Sequence, residues 1–360
     1  MLIYLDNENN TRAGPNENFA RELFELHGMG AENYLGAIPK QEWIDPITQF
    51  PVVPADSNGY PIGYIDYDVY EATRCFTGWS INRDTGAFVY NEDDHDRFAK
   101  FLLRTYISPD QSAETDGRAV LDLIATNPGT AVYICRQLCR RLVSDSPPES
   151  LVQSAAAVFR AQQEAPDQLK QVVRHILLSN TFRTTWGQKV KRPFELIVSA
   201  ARALQFNLSF RQDDSDSTSF FWLYYRTGQG LFQWPAPNGY PDVKEAWQST
   251  TPLIMSWRMI NWMAEMSENY EGNSYYADIF GQTPAHIRYA TSLTDFWVDR
   301  LLHRPLDTTT RQRLITFMAQ DSAADEDLPL DSPDWPGPDI RARLRSLVGL
   351  ILLLPEFQER

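Results

Sequence analysis

The residues most suited by type to catalysis or ligand binding lie near the start of this sequence, in the acidic segment PNENFARELFELHGMG (15–30). Glutamates such as Glu22 and Glu25 can act as general acids, bases or nucleophiles, and Arg21 can hold an anion. A helix over 16–27 would place three apolar side chains on one face, those of Phe19, Leu23 and Leu26. We expect a capped amphipathic helix whose polar face is either a solvated surface with an Arg21–Glu25 ion pair or the edge of a site.

The residues before this helix have a second interpretation, as a calcium-type loop. Oxygen-bearing side chains occupy loop positions 1, 3, 5 and 12, which are Asp6, Glu8, Asn10 and Glu17. Such loops normally carry Gly at position 6 for a sharp turn, and this chain has Thr11 there. The alternative is a turn rich in Asn and Asp that binds no ion.

His95 and Asp96, in the segment NEDDHD (91–96), form another candidate. Imidazole titrates near neutral pH, so His95 with an adjacent carboxylate could serve as a general base or a metal ligand. The alternative is an acidic helix N-terminus, where the helix dipole favours anions.

Lys191 and Arg192 lie in KVKRPFEL (189–196), next to a predicted helix start. Two cations beside a helix N-terminus would suit an anionic small ligand such as sulfate, phosphate or a uronate. The alternative is an ion pair of Arg192 with Glu22 or Glu25 that holds two helices together.

The segment LFQWPAPNGYPD (231–242) has the composition of a binding loop. Flat stacking faces in or beside it belong to Trp234, Tyr240 and Trp247, and polar groups belong to Asn238 and Asp242. Three prolines stiffen its backbone, which reduces the entropy lost on binding. Stacking faces with amide and carboxylate groups suit a sugar ring, and Trp79 is a further candidate face. The alternative is a loop whose aromatic side chains pack against its own underside.

Apolar residues recur at spacings of three and four along most of the chain, which predicts an all-α protein. The predicted helices span about 16–27, 67–77, 96–106, 129–143, 149–162, 167–179, 192–205, 251–267, 284–302, 309–319 and 339–353. One small β-hairpin is predicted in GWSINRDTGAFVYN (78–91), around an Asp-Thr-Gly turn. The long segments 40–64 and 228–247, rich in Pro, Gly and aromatic residues, are predicted to be ordered loops.

An internal repeat is predicted from two similar segments, LKQVVRHILLSNTF (169–182) and LRSLVGLILLLPEF (344–357). Each would close a three-helix unit with a buried phenylalanine, Phe182 or Phe357. The alternative is that two amphipathic helices resemble one another by chance.

The predicted parts of one compact domain are a motif-bearing region with the hairpin (1–110), a three-helix unit (111–185), a helix with the aromatic loop (186–283) and a second three-helix unit (284–360).

The composition excludes several classes of protein. A net charge of -14 argues against a general nucleic-acid binder, which needs a basic surface. No run of about 18 apolar residues is present, so no transmembrane segment is expected. The start MLIYLDNENN lacks the charged and apolar regions of a signal peptide. The three cysteines, Cys75, Cys135 and Cys139, give no disulfide framework.

Several motifs occur together, in the order YLDNENN, PNENFAREL, DVYEATRCFTGW, HD followed by Lys100, VKRPFELIVSA and WPAPNGYPD. On these motifs the chain resembles the bacterial family catalogued as domain of unknown function 1800, over nearly its whole length. The resemblance implies a largely helical protein, often exported, often encoded beside a sulfatase-like partner family, with no established reaction. Family members usually carry a helical region before the LDN motif and a Gly-bearing stretch where this chain has RFAKF (97–101).

Two hypotheses for the function follow. In the first, the protein binds or processes an extracellular polysaccharide in a cleft of aromatic side chains and carboxylates. Its catalytic groups would be Glu22, Glu25, His95 or Asp242, with about 5–5.5 Å between two carboxyls for retaining chemistry and about 6.5–9.5 Å for inverting chemistry. In the second, it is a non-enzymatic helical module that docks the sulfatase-like partner through a broad apolar patch.

Overall fold

A computed structural model describes residues 1–269, 274–320, 322–331 and 340–360. The chain forms two compact units, Met1–Thr184 (unit 1) and Thr185–Arg360 (unit 2). The described residues are mainly helical with small antiparallel hairpins, which confirms the predicted fold class. Within those ranges, no helix has the length and apolar character needed to cross a lipid bilayer. The finer division into four segments stays a prediction.

Unit 1 combines short helices and two hairpins with a three-helix group. Its elements are α1 (Asn18–Glu22), α2 (Asp66–Cys75), β1 (Trp79–Ile81), β2 (Phe88–Tyr90), β3 (Lys100–Leu102), β4 (Thr105–Ile107), α3 (Ala113–Thr126), α4 (Pro128–Leu142), α5 (Glu149–Ala161), α6 (Gln168–Leu177) and α7 (Asn180–Thr184). One apolar core joins α1, α2, α3 and the hairpins, and a second lies among α4, α5 and α6. Cys135 and Cys139 are buried in this second core, as expected for packing residues.

Unit 2 is built around a single large apolar core. Its elements are α8 (Pro193–Ala203), α9 (Ser215–Arg226), α10 (Thr250–Glu265), β5 (Ser267–Asn269), β6 (Ser274–Tyr275), α11 (Ile279–Gln282), α12 (Ala290–Leu302), α13 (Thr308–Ala319), α14 (Ile340–Leu353) and α15 (Pro355–Gln358). The two phenylalanines of the predicted repeat differ, because Phe357 is buried whereas Phe182 is exposed. The prediction that both are buried was wrong for Phe182.

The first long helix begins at Asn18, two residues after the predicted start, and does not stay regular. Asn16 accepts a hydrogen bond from the Asn18 amide (3.1 Å), and after α1 the chain continues as a π-helix over Leu23–His27. A π-helix closes its hydrogen bonds over one more residue than an α-helix, so the apolar face rotates. Phe24 is therefore fully buried, and the expected core positions Leu23 and Leu26 are only half-buried.

The hairpin predicted in 78–91 is present, with Trp79 paired to Tyr90 and Ile81 to Phe88. The predicted helix over 96–106 is wrong, because this stretch forms the hairpin of β3 and β4. Its two-residue turn places Leu103 and Arg104 at φ values of 47° and 65°. Neither residue is a Gly or Asn, which are the usual residues of such a turn, so the sequence carries no hairpin signal.

Candidate functional site

The acidic segment of α1 is organised by Arg21. Its guanidinium lies 3.1 Å from Glu17, 3.4 Å from Glu25 and 3.1 Å from Asp66 at the start of α2. The predicted Arg21–Glu25 ion pair is therefore present. Tyr34 also donates its hydroxyl to Asp66 at 2.8 Å. Arg21 thus ties α1 to α2, and this role occupies two of the three carboxylates of the segment.

Glu22 is the remaining carboxylate of that segment. Its side chain is half-buried and makes no hydrogen bond or ion pair with the part of the chain that the structure describes. Burial and the charge of Glu25 raise the pKa of Glu22 above its usual value, although Arg21 opposes this. A raised pKa favours the protonated form of a carboxyl, so Glu22 is a candidate acid of the predicted catalytic set.

The residues of the predicted calcium loop have other partners. Asn10 is buried and donates its side-chain amide to the carbonyl of Thr73 (2.9 Å) and to Asn7 (3.2 Å). Its side-chain oxygen accepts from the amide of Asn16 (2.9 Å). Glu8 pairs with Arg83 (2.7 Å), Glu17 pairs with Arg21, and Asp6 is exposed. Among the described residues, no three His, Cys, Asp or Glu side chains are grouped to hold a metal ion. The calcium site stays a prediction without geometric support.

His95 lies at the centre of a buried polar cluster rather than in an open cleft. Its side chain has no exposed surface, its Nδ1 lies 2.9 Å from the carbonyl oxygen of Thr77, and its Nε2 lies 3.2 Å from Asp116 Oδ2. Lys100 Nζ donates to the same Asp116 oxygen and to the carbonyl oxygen of Asp96. A substrate could reach His95 only if the surrounding core opened.

A second part of the cluster surrounds Arg74. It makes two parallel bonds to Asp96, at 2.9 and 3.2 Å, and one to Glu71 at 2.8 Å. Burial alone would raise the pKa of Asp96, but the hydrogen bonds from Arg74 hold that pKa below its usual value. Glu71 accepts from the backbone of Phe101 (2.9 Å), so the network fixes β3 on α2.

Asp68, also on α2, extends this network to the residue after β3. Its two oxygens accept from the backbone amides of Leu103 (2.7 Å) and Ile65 (3.0 Å). Burial raises the pKa of Asp68 to about 6, against those two hydrogen bonds, which favour the charged form. Lys100, Asp116, Arg74 and Asp68 were not predicted to belong to one cluster. The HD motif followed by Lys100 was the one sequence signal that pointed to it.

Trp79 is a core residue and not an open stacking face. It is buried, and its Nε1 donates to the carbonyl oxygen of Ala113 at 2.7 Å. Its ring packs edge-on against Phe76, Phe88 and Tyr90.

The cations at the start of α8 are also engaged within unit 2. Lys191 donates to the carbonyl oxygen of Phe357 and lies 4.0 Å from the centre of that ring. Burial lowers the pKa of Lys191 to about 8. Arg192 pairs with Glu195 of its own helix (3.6 Å), and Glu195 also accepts from the Arg192 backbone amide (3.1 Å). The amide of Phe194 donates to the side chain of Gln229 (2.9 Å). Lys191 and the backbone amides of Arg192 and Phe194 therefore already have protein acceptors, whereas Nε of Arg192 has none among the described residues.

The aromatic loop packs on itself. Trp234 donates its indole N–H to Asn238 (2.7 Å), and Trp247 donates to the carbonyl oxygen of Pro241 (2.8 Å). The Tyr240 ring lies 4.9 Å from that of Trp234 and 5.8 Å from that of Trp247. Asp242 lies 3.4 Å from Lys189 Nζ. The polar groups that a bound sugar would need therefore already have partners within unit 2.

Exposed apolar side chains lie on this loop and on α9. Together we call them the aromatic surface, which consists of Phe221, Trp222, Tyr225, Leu231, Phe232 and Trp234. The loop lies against α9 at Gly230, where an added Cβ would come within 2.9 Å of the Tyr225 ring. Phe232 is fully exposed and has a φ of 60°, a left-handed conformation that bulky residues rarely adopt.

An open cleft of about 590 Å³ in unit 1 contains none of the predicted site residues. It lies at the start of α4, with Asn127 and Arg136 in its wall. Asn127 accepts from the Gly129 amide (2.7 Å), and Arg136 pairs with Glu149 (2.6 Å) and Glu32 (3.3 Å). The side chain of Asn127 therefore caps a helix, and that of Arg136 is engaged in two salt bridges.

Comparison with known proteins gives one match. The sequence profile of a family described as "Protein of unknown function (DUF1800)" matches residues 1–359. No curated protein and no solved structure matches the chain.

Proposed function

The chain belongs to the DUF1800 family, and from that premise we propose that it is a helical docking module which binds a partner protein through the aromatic surface of unit 2. The observation that carries this proposal is the exposure of Phe232 on a left-handed backbone, two residues after Gly230, where the loop lies against Tyr225 of α9. Both the exposed ring and the strained backbone cost free energy in the isolated protein, and such costs are typical of functional surfaces.

The composition of the aromatic surface supports a protein partner. Trp, Tyr and Arg are the residues that most often dominate protein–protein binding energy. Arg226 lies 4.4 Å and Arg258 5.6 Å from the centre of the Trp222 ring, and both arginines are exposed. A partner with an apolar contact area bordered by carboxylates would complement this arrangement. The sulfatase-like family implied by the resemblance supplies the first partner to test.

The polysaccharide hypothesis has less support. Trp234 donates its indole N–H to Asn238 and Tyr240 donates its hydroxyl to Gly230, so neither of these donors is available to a sugar. Its predicted carboxylates Glu25 and Asp242 lie in ion pairs, and His95 is closed to solvent. A cleft shared by the α1 segment and the aromatic loop stays a prediction, since the two belong to different units.

The test is a pair of binding assays on the whole chain. The docking proposal expects co-purification with the sulfatase-like partner and loss of that complex in the double variant Trp222→Ala/Phe232→Ala. Phe98→Ala is the matched control, because Phe98 is an exposed aromatic residue in unit 1. A glycan panel should leave the melting temperature unchanged. A glycan-induced shift that Trp234→Ala removes would instead establish sugar binding and overturn the docking proposal.

A further inference from the structure

Lys100 and Asp116 meet inside the apolar core of unit 1. Lys100 is 2% exposed and Asp116 is 0% exposed, and Lys100 Nζ lies 2.5 Å from Asp116 Oδ2. Leu102 on the same strand and Val120 on the same helix are fully buried in the surrounding core. An amine and a carboxyl are therefore held in contact where water is excluded, which is the condition that favours condensation over hydrolysis.

The two carboxyl oxygens of Asp116 differ in their hydrogen bonds. Oδ2 accepts from Lys100 and lies 3.2 Å from His95 Nε2, while Oδ1 has no hydrogen-bond partner within the described part of the chain. Burying a carboxylate with one oxygen unpaired costs free energy, because each oxygen of the anion needs hydrogen-bond donors to replace water. A neutral amide at the same place would leave only a carbonyl oxygen unpaired, at a much smaller cost.

His95 contacts the same oxygen of Asp116 that Lys100 contacts. Its Nδ1 lies 2.9 Å from the carbonyl oxygen of Thr77. A carbonyl oxygen can only accept a hydrogen bond, so this contact assigns the proton of the neutral ring to Nδ1. The lone pair of Nε2 then faces Asp116 Oδ2, the oxygen that also contacts Lys100, and can accept a hydrogen bond from it when that oxygen carries a proton.

We propose that Lys100 and Asp116 form an intramolecular isopeptide bond, with His95 as the proton carrier. After proton transfer within the ion pair, the neutral Lys100 amine attacks Cγ of the protonated Asp116 carboxyl. The Cγ–Nζ bond forms and the Cγ–Oδ2 bond breaks. One amine proton passes through His95 Nε2 to Oδ2, which leaves with that proton and its own as one water molecule. Oδ1 becomes the amide carbonyl oxygen, and no oxidant, reductant or other reactant is needed.

The bond would link β3 covalently to α3 and remove two buried charges. It would leave Arg74 to pair with the two remaining carboxylates that contact it, Asp96 and Glu71. This modification is independent of the docking proposal, since all its groups lie in unit 1.

The test is the mass of the purified, denatured full-length chain. We expect a mass lower than the sequence mass by one water molecule. Trypsin should then release a branched peptide in which 98–104, uncut after Lys100, is joined to 105–118. An intact mass equal to the sequence mass, with normal cleavage after Lys100, would overturn the proposal without the need for any variant.

Two controls separate the isopeptide from other losses of water. Asp116 is followed by Gly117, a pair that can cyclise to a succinimide of the same mass. A succinimide would lie on the unbranched peptide 105–118 and would revert in mild alkali, and that result contradicts the proposal. Lys100→Arg keeps a cation beside Asp116 but cannot be acylated there, so it should have its full sequence mass. His95→Gln should slow the reaction and give a mixture of linked and unlinked chains.

Discussion

Tyr240 donates its hydroxyl to the carbonyl oxygen of Gly230 at 2.7 Å. This bond closes the base of the loop that carries Leu231, Phe232 and Trp234, so it holds the exposed part of the aromatic surface in place. The rigidity matters for binding, because an ordered loop loses less entropy when it meets a partner.

Tyr240→Phe should loosen this loop without unfolding unit 2. One hydrogen bond is worth about 1 kcal/mol, so we expect amide hydrogen exchange at 231–234 to become roughly fivefold faster. Tyr106→Phe, at an exposed tyrosine of β4, should leave exchange in this loop unchanged. Equal exchange in wild type and Tyr240→Phe would show that the bond does not order the loop.

Asn10→Ala should destabilise the protein on the order of 2–4 kcal/mol in urea denaturation, because it removes the hydrogen bonds that the buried Asn10 side chain donates to the Thr73 carbonyl oxygen and accepts from the Asn16 amide. Asp6→Asn is the matched control. Asp6 is exposed at a φ of 55°, which Asn tolerates well, so its effect should stay within about 0.5 kcal/mol.

The same pair of variants tests the calcium interpretation. We expect the loss of stability in Asn10→Ala to be equal in calcium and in EDTA. A calcium-dependent rise in wild-type melting temperature that Asp6→Asn removes would support an ion site instead.

The buried carboxyl of Asp68 should make stability depend on pH. Its pKa is raised to about 6 by burial, and the unfolded value is about 3.9. Between these values the folded state holds more protons than the unfolded state, so the contribution of Asp68 is full below about pH 4 and is lost as pH rises through about 6. Two pKa units correspond to about 3 kcal/mol.

Asp68→Asn removes this titration and should therefore be most destabilised relative to wild type at low pH. The difference in the free energy of unfolding should shrink as pH rises from about 4 to about 7. Urea denaturation of both proteins at several pH values measures it, and other titrating groups cancel in the difference. A difference that does not change with pH would contradict the raised pKa.

Gly117→Ala should destabilise unit 1, because an added Cβ would lie 2.7 Å from the indole nitrogen of Trp79. That ring is held by its bond to Ala113 and cannot move aside. We expect a loss of about 1–3 kcal/mol in urea denaturation. Gly14→Ala, whose Cβ would meet nothing closer than 4.0 Å, is the control. An unchanged Gly117→Ala protein would mean that Trp79 packs less tightly than described.

Local signals predicted much of the fold. The Asp-Thr-Gly turn identified the hairpin of β1 and β2, and amphipathic spacing located α4, α5, α13 and α14 to within about two residues. The hairpin of β3 and β4 was missed because Phe98, Phe101 and Leu102 imitate helical spacing, while the turn at Leu103 and Arg104 has no Gly or Asn. The helix α9 was missed because its run of aromatic residues has no clear polar face.

The buried cluster could not be predicted from the sequence for a different reason. Because lysine side chains are usually exposed, the sequence predicts a surface position for Lys100. In the structure, Lys100 lies on β3, which pairs with β4, and its side chain is buried in the core with His95 and Asp116. Such long-range contacts are set by tertiary packing. For the aromatic loop, composition indicated order, but the choice between a sugar site and a self-packed loop depended on where each indole N–H points.

The most direct measurement of the docking proposal is a calorimetric titration of the purified sulfatase-like partner into wild-type protein and into Phe232→Ala. The account predicts measurable binding by the wild type and a dissociation constant at least tenfold higher for Phe232→Ala, as expected for a residue at the centre of an interface. The melting temperature should stay the same, because Phe232 is fully exposed. Equal affinity for both proteins, or no binding by either, would contradict the account.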